Sequence, residues 1–328
     1  MPGVTESRTF DSVLTTTLAN YREKLVDNIF DEYAFLSYLN GKLGKAIRNG
    51  GSIKRLLDGG DSIVEHLLYE TNSTISSYSG SETIDTTIQD GMTIARYNWK
   101  QYGGSIGFTG LEKAQNSGQA AMIDLIEART KQAIMTLRKN LNQDAFGDGT
   151  GNSNKTLTGL QALVSTTATV GGLNPTTFAW WVAQSTTSGV FSTQGLADMT
   201  TTFYNCAQGS SDTPDAIFTT QTILEAFENT LVPQQRYGNE DELAKVGWRH
   251  LTFKSVPVFY DLDCPSGNMY FLNSKYLNFC VHKNHDFVIT PAVTREDKDT
   301  TSSKILFYGN MTTNNRRKLG VMTSITAS

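Results

Sequence analysis

Cysteine is scarce in this 328-residue chain: Cys206, Cys264 and Cys280 are the full set. They are too few and too widely spaced for a disulfide framework or a zinc site, and they read as small buried residues. No run of about 18 apolar residues occurs, and no charged-then-apolar segment opens the chain. The expectation is a soluble protein made in the cytosol. Neither terminus carries a basic arm and the net charge is −4, which argues against a protein that condenses nucleic acid by neutralising phosphates. Apolar residues make up 38% and charged residues 18% of the chain, both low. Ser, Thr, Asn and Gly fill the gap, a mixture that suits extended, interface-forming structure better than a compact enzyme. The length implies two domains, or one with large insertions.

The longest absence is of positive charge. No Lys or Arg lies between Arg55 and Arg96, whereas Asp58, Asp61, Glu65, Glu70, Glu82, Asp85 and Asp90 all do. The same stretch reads as an arm: a strand at Asp61 to Tyr69, a tip rich in Ser, Thr and Gly, and a returning strand at Met92 to Thr109. An isolated two-stranded arm is marginal in water and exposes unpaired edges, so it should be stable only when laid on something else. A neighbouring copy of the same chain is the simplest support. Basic residues collect at Arg129, Lys131, Arg138 and Lys139 on a predicted helix and at Arg316, Arg317 and Lys318. Opposite charges on the two elements would set register and partner choice more than affinity, although each run taken alone also reads as solvated surface.

Apolar spacings of three and four predict an amphipathic helix from Asp11 to Asn40, which must dock on its own chain or on a neighbour. A second helix begins near Leu111, loosens at Asn116-Ser117-Gly118 and runs from Gln119 to Phe146, ending at Gly147. Residues 156–283 mix helices near Gly195 to Ala207 and Thr222 to Leu231 with strands at Pro214 to Thr220, His250 to Asp261 and Met269 to Asn273, the pattern of a compact α+β domain. Asp286 to Val293 and Lys304 to Met311 read as long strands that return to pack on the long helix, making the first domain discontinuous.

Chemistry is thin. The loop GDGTG at Gly147 to Gly151 follows a helix and lacks the Lys-Ser/Thr of a nucleotide loop, so a turn is the better reading; calcium there lacks a closing acid. His282, His285 and Asp286 have a spacing that does not aim both imidazoles at one metal. His66 and His250 have no nucleophile motif beside them. Asp261 and Asp263 read as a turn ahead of an acid/base couple. Trp180 and Trp181, expected at a helix start, could stack a base or sugar, with packing preferred. No catalytic, cofactor-binding or metal residue is assigned.

The order of elements resembles the major capsid proteins of tailed bacteriophages, the Hong Kong 97-like shell fold shared with encapsulins. The likeness rests on DGG at Asp58 to Gly60, the run from Trp99 to Phe108, FGDGTGN at Phe146 to Asn152 followed by GLQALV, FKSVPVFYD at Phe253 to Asp261, PSGNMYFLN at Pro265 to Asn273 and NRRKLGV at Asn315 to Val321. It implies an α+β fold with an N-terminal arm (1–47), an extended β-hairpin loop (48–108), a peripheral domain with a long spine helix (109–155 and 284–328) and an axial domain (156–283). It further implies a structural protein, without catalysis or cofactor, that forms hexamers and pentamers in an icosahedral shell around double-stranded DNA, assembled in the host cytoplasm. Partners would be copies of itself, a scaffold, portal and decoration proteins, and packaged DNA through weak contacts; no membrane is involved.

The N-terminal scaffolding extension of some relatives is not seen, which leaves a separate scaffold, a removed segment or scaffold-free assembly as alternatives; the loop lysine through which others cross-link is absent between Lys54 and Lys100, so a non-covalent shell is expected. Gly59-Gly60 and Gly103-Gly104 are read as hinges or, more simply, as turn or bulge residues. The rival readings are an encapsulin-type compartment and, from another class, a hydrolase or carbohydrate-binding protein using Trp180, Trp181 or His282.

Overall fold

A computed structural model of the protein describes residues 33–41, 53–115, 125–209, 211–231, 251–294 and 299–327. In chain order the elements are α1 (Ala34–Leu39), β1 (Lys54–Leu57), β2 (Ile63–Leu68), β3 (Met92–Tyr97), β4 (Lys100–Thr109), α2 (Gly110–Gln115), α3 (Leu125–Phe146) and α4 (Leu160–Leu163). There follow β5 (Gln184–Thr187), α5 (Leu196–Ala207), β6 (Ala216–Thr219), α6 (Gln221–Leu231), β7 (Leu251–Phe253), β8 (Val256–Tyr260), β9 (Met269–Leu272) and β10 (Leu277–His282). The chain closes with β11 (Val288–Ile289), β12 (Val293–Thr294), β13 (Thr300–Thr313) and β14 (Gly320–Thr323). Residues 11–32 of the helix expected from Asp11 to Asn40, the loosening at Asn116-Ser117-Gly118 and the first residues of the long helix, 119–124, lie outside the described residues.

Two units divide the chain, and among the described residues the smaller takes 102–115, 125–140, 284–294 and 299–307. Here β13 pairs with β4 and, antiparallel, with β11 and β12. Ile106, Leu137, Ile305 and Phe307 are buried. Phe307 meets Phe287 at 5.1 Å between ring centroids, and the Arg138 guanidinium lies over Phe287. The long strand expected at Asp286 to Val293 is instead two strands of two residues, because Pro291 between them has no N–H to give a ladder. Gly103 and Gly104 sit inside β4, where an added Cβ would meet the side chains of Leu306 and Ile305 at 3.3 Å.

In the same unit Glu112 accepts from both guanidinium nitrogens of Arg129 and from the Thr109 N–H. These bonds, Arg129's first, hold the Glu112 carboxyl down at about 2, against an ordinary value of 4.5. Because the folded pKa is the lower one, the stabilisation is present above pH 4.5 and is lost as pH falls towards 2. Glu112→Gln should therefore lower stability above pH 4.5, where the carboxylate contributes, and flatten the acid limb of the unfolding curve towards pH 2; an identical acid limb would refute the assignment.

The larger unit holds a six-stranded sheet in the order β5-β14-β9-β6-β8-β7, with β14–β5 and β6–β8 parallel. Its core gathers Phe191, Met199, Phe203, Ile217, Phe227, Val258, Phe271 and Met322, so α5 and α6 bury their apolar stripes on the sheet. Lys254 and Ser255, both at positive φ, break the segment from His250 to Asp261 into the hairpin β7–β8. A second set of strands joins β1, parallel, and the end of β13, antiparallel, to β10. All three cysteines are buried.

Helix α1 docks on this unit of its own chain through aromatic contacts and two buried carboxylates. Phe35 packs against Phe146 and Phe218, and Tyr38 against Phe218. Asp261 accepts from the Phe35 N–H at 3.1 Å, from Asn142 Nδ2 at 2.9 Å and from the Asp263 N–H at 3.0 Å. Asp215 accepts from the Tyr38 hydroxyl at 2.9 Å and from Ser274. Burial raises the pKa of both carboxyls. Here the folded value is the higher one, so their contribution is greatest below the ordinary carboxylate range and declines as pH rises through the raised values. Asp261→Asn turns an amide towards one of three N–H donors and should cost about 2 kcal/mol, read as a lower urea midpoint at unchanged slope. An unshifted midpoint would show that Asp261 is dispensable for docking α1.

Candidate assembly site: the arm and its anchors

Strands β2 and β3 form an antiparallel hairpin in the register Ile63↔Tyr97, Glu65↔Ala95 and Leu67↔Thr93. Strand parity decides what is inside: Ile63, Glu65 and Leu67 on β2 and Ala95 and Tyr97 on β3 are buried, while Leu68 and Met92 face out. Glu65 is therefore no part of a solvated acidic surface. Its Oε1 accepts from Arg55 at 2.8 Å, from the Thr312 hydroxyl at 2.9 Å and from Asn278 Nδ2 at 3.3 Å, which nails β2 to β1, β10 and β13. Tyr97 donates to the Thr313 carbonyl at 3.0 Å, and burial pushes its phenol above the ordinary range.

The root has two further ties. Trp99 Nε1 donates to the Gly60 carbonyl at 2.9 Å, beside His282, whose ring stands edge-on to Trp99. Gly59 and Gly60 adopt φ of 139° and 114°, values that only glycine takes readily. The Arg96 N–H donates to the Gly171 carbonyl at 3.0 Å, and a Cβ on Gly171 would meet Ala95 Cβ at 2.6 Å. Beyond the root, residues 70–91 contain no strand or helix. Asn72 and Asp85 each accept from the N–H and hydroxyl of the threonine two residues on, and between them the Glu82 N–H donates to the Ser79 carbonyl across a turn at Gly80, whose φ is 55°. The tip exposes Ile75 at 80%, Tyr78 at 62%, Ile84 at 56% and Ile88 at 95%.

The basic partner expected near the C-terminus is absent as a surface patch. Arg316 is fully buried and donates to the carbonyls of Ala162, Leu163, Ser165, Ala168 and Trp181. Burial pushes its pKa down to about 10, so it remains a cation at neutral pH. Lys318 is buried too and donates to the Ala207 carbonyl at 2.7 Å, answering an orphan carbonyl at the end of α5. Only Arg317 of the three is exposed. On α3, Arg129 is engaged by Glu112.

The other candidate residues are dispersed. His282 ends β10, and among the described residues no three His, Cys, Asp or Glu side chains are arranged to hold a metal ion. Asp261 and Asp263 share a turn, with Asn142 Nδ2 bridging their carboxylates. Asp148 closes a side-chain turn on Thr150, which lowers its pKa. Trp180 and Trp181 lie in a turn ahead of β5, not at a helix start. Trp181 is buried and donates to the Val170 carbonyl, whereas the Trp180 ring stacks on Tyr69 of the arm.

With the hairpin, the long helix and the mixed sheet in place, sequence comparison supplies the decision: residues 105–326 match the family model described as SU10 major capsid protein. The chain belongs to the SU10 major capsid protein family. No curated protein matches this capsid protein in sequence. Among solved structures it is similar to the cyanophage A-1(L) capsid asymmetric unit, with a TM-score of 0.71 at 18% identity over 95% of this chain and 98% of that one. The capsid of cyanophage P-SCSP1u gives a TM-score of 0.57 at 10% identity, over 96% of this chain and 95% of that one. The encapsulin SrpI of Synechococcus elongatus, solved as a holo complex, gives 0.57 at 11% identity over 96% of each chain. The fold is thus the Hong Kong 97-like shell fold, and this capsid protein is a structural component of a shell. Among the described residues no helix is long and apolar enough to cross a membrane.

Proposed function

We propose that this capsid protein assembles as hexamers and pentamers into an icosahedral shell around double-stranded DNA in the host cytoplasm, with its arm (48–108) laid over a neighbouring copy. The observation that carries this reading is the tip: Ile75, Tyr78, Ile84 and Ile88 are open to solvent on a segment without regular structure, while the root is nailed down by Glu65 and Tyr97. A rigid root with an exposed apolar end is the form of a segment completed by another chain. Residues 109–155 with 284–328 would serve as the peripheral domain and 156–283 as the axial domain meeting the symmetry axes. With no lysine between Lys54 and Lys100, the contacts between copies would be non-covalent. Scaffold, portal and decoration proteins would complete the particle.

Electron microscopy with mass determination, on the protein expressed alone and with its genomic neighbours, tests this. Closed shells with DNA inside, or free hexamers and pentamers, are expected. A monodisperse monomer under both conditions would refute the assembly reading. Shells filled with a protein cargo and no DNA would move the protein to the encapsulin side of the fold, and a ladder of linked subunits on a denaturing gel would refute the non-covalent contacts.

A further inference from the structure

We propose that Trp180 sets the posture of the arm, acting as a latch through its stack on Tyr69. The two rings lie 5.2 Å apart and 16° from parallel. Trp180 is itself held in place: Phe178 stands against it at 5.9 Å and Trp181 at 5.6 Å, both near-perpendicular. Trp181 in turn is fixed by its Nε1 bond to Val170 and by the Arg316 guanidinium on its carbonyl. The latch therefore stands on a rigid seat in the larger unit.

What it grips is the neck of the arm. Tyr69 follows the last residue of β2; its N–H donates to the Gly91 carbonyl at 3.0 Å and its hydroxyl to the Asp90 carbonyl at 3.2 Å. Both feet of the tip are thus tied at one residue, and the stack on its ring orients the segment 70–91. Below it, Arg96 on Gly171 holds β3 to the same loop, residues 165–183. Offset-stacked aromatic pairs shift an equilibrium by roughly three- to tenfold beyond their area of contact. If only the latched arm meets the next copy, the apparent affinity between copies falls by the fraction unlatched. This consequence rests on the assembly reading; the latch itself does not.

Hydrogen exchange on dissociated full-length subunits, followed at the Tyr69 and Arg96 amides, tests the latch. Trp180→Ala and Tyr69→Ala should each speed exchange there by about three- to tenfold, with exchange in β6 and β9 unchanged. Trp180→Phe and Tyr69→Phe, which keep a stacked ring, should restore most of the protection. The double alanine variant should be no faster than Tyr69→Ala alone, since the stack is already gone there. Unchanged exchange in the single variants, or additive acceleration in the double, would overturn the proposal. Tyr69 is partly exposed, so Tyr69→Ala keeps the test decisive should Trp180→Ala fail to fold. The subunit concentration needed for shells should rise by the same factor in Trp180→Ala and return in Trp180→Phe. If wild-type subunits formed no shells, the assembly reading would fail while the exchange result still decided the latch.

Discussion

Arg316→Met should cost the subunit about 4 kcal/mol of folding stability or more, placing it among the largest single effects in the chain. Two terms oppose each other. Removing a buried cation returns its desolvation penalty, which is several kcal/mol for a buried ion. Against that, the carbonyls of Ala162, Leu163, Ser165, Ala168 and Trp181 lose their donors together, and each buried group left unmet costs about 1–3 kcal/mol. The second sum is larger, even after water reaches some of the five. Arg316→Lys keeps the charge but has three donors on one nitrogen in place of a planar fork, so it should recover less than half of the loss. Urea unfolding of the purified subunit measures both. A Met variant within about 1 kcal/mol of wild type would mean that the loop satisfies its own carbonyls by shifting, and that Arg316 does not hold it in place.

The arm was legible in the sequence because its strands alternate and its charge is one-sided, and the mixed helices and strands of 195–273 were legible by period. Glu65 was misread because its charge was counted before its parity; two residues from Ile63 and two from Leu67, it had to share their face. Strand β10, Leu277 to His282, left no periodic mark, since both of its faces are covered and burial does not alternate along it. It is placed only by pairing with Lys54–Leu57 and with residues 309–313, both distant in sequence. Arg316 sits in an Arg-Arg-Lys run, and its burial depends on where five remote carbonyls converge. Such convergence is a property of tertiary structure, so charge density alone pointed to a surface patch that the fold does not have.

Cutting back the tip should give the largest functional effect with the smallest structural one. Replacing residues 71–89 by an Asn-Gly turn keeps the pairing from Ile63 to Leu68, the Glu65 and Tyr97 anchors and the Tyr69 stack. Folding stability should therefore change by less than about 1 kcal/mol. Shell formation should be lost. Ile75, Tyr78, Ile84 and Ile88 are more than half exposed, and burying about half of each side chain on a neighbour is worth roughly 1 kcal/mol apiece. Together that is about 4 kcal/mol per contact, or nearly a thousandfold in affinity. A shell repeats the contact at every copy, so the loss multiplies through the assembly. Charge would act differently: with Glu65 buried and Asp58 paired with Lys283, Asp61 remains at the root and Glu70, Glu82, Asp85 and Asp90 remain to steer the tip. Reversing Glu82 and Asp85 to Lys should slow assembly most at low salt and little at high salt, because exposed charges are screened. If the shortened arm still closed into shells at wild-type concentrations, the copies would be held by other surfaces, and the exposed isoleucines would need another explanation.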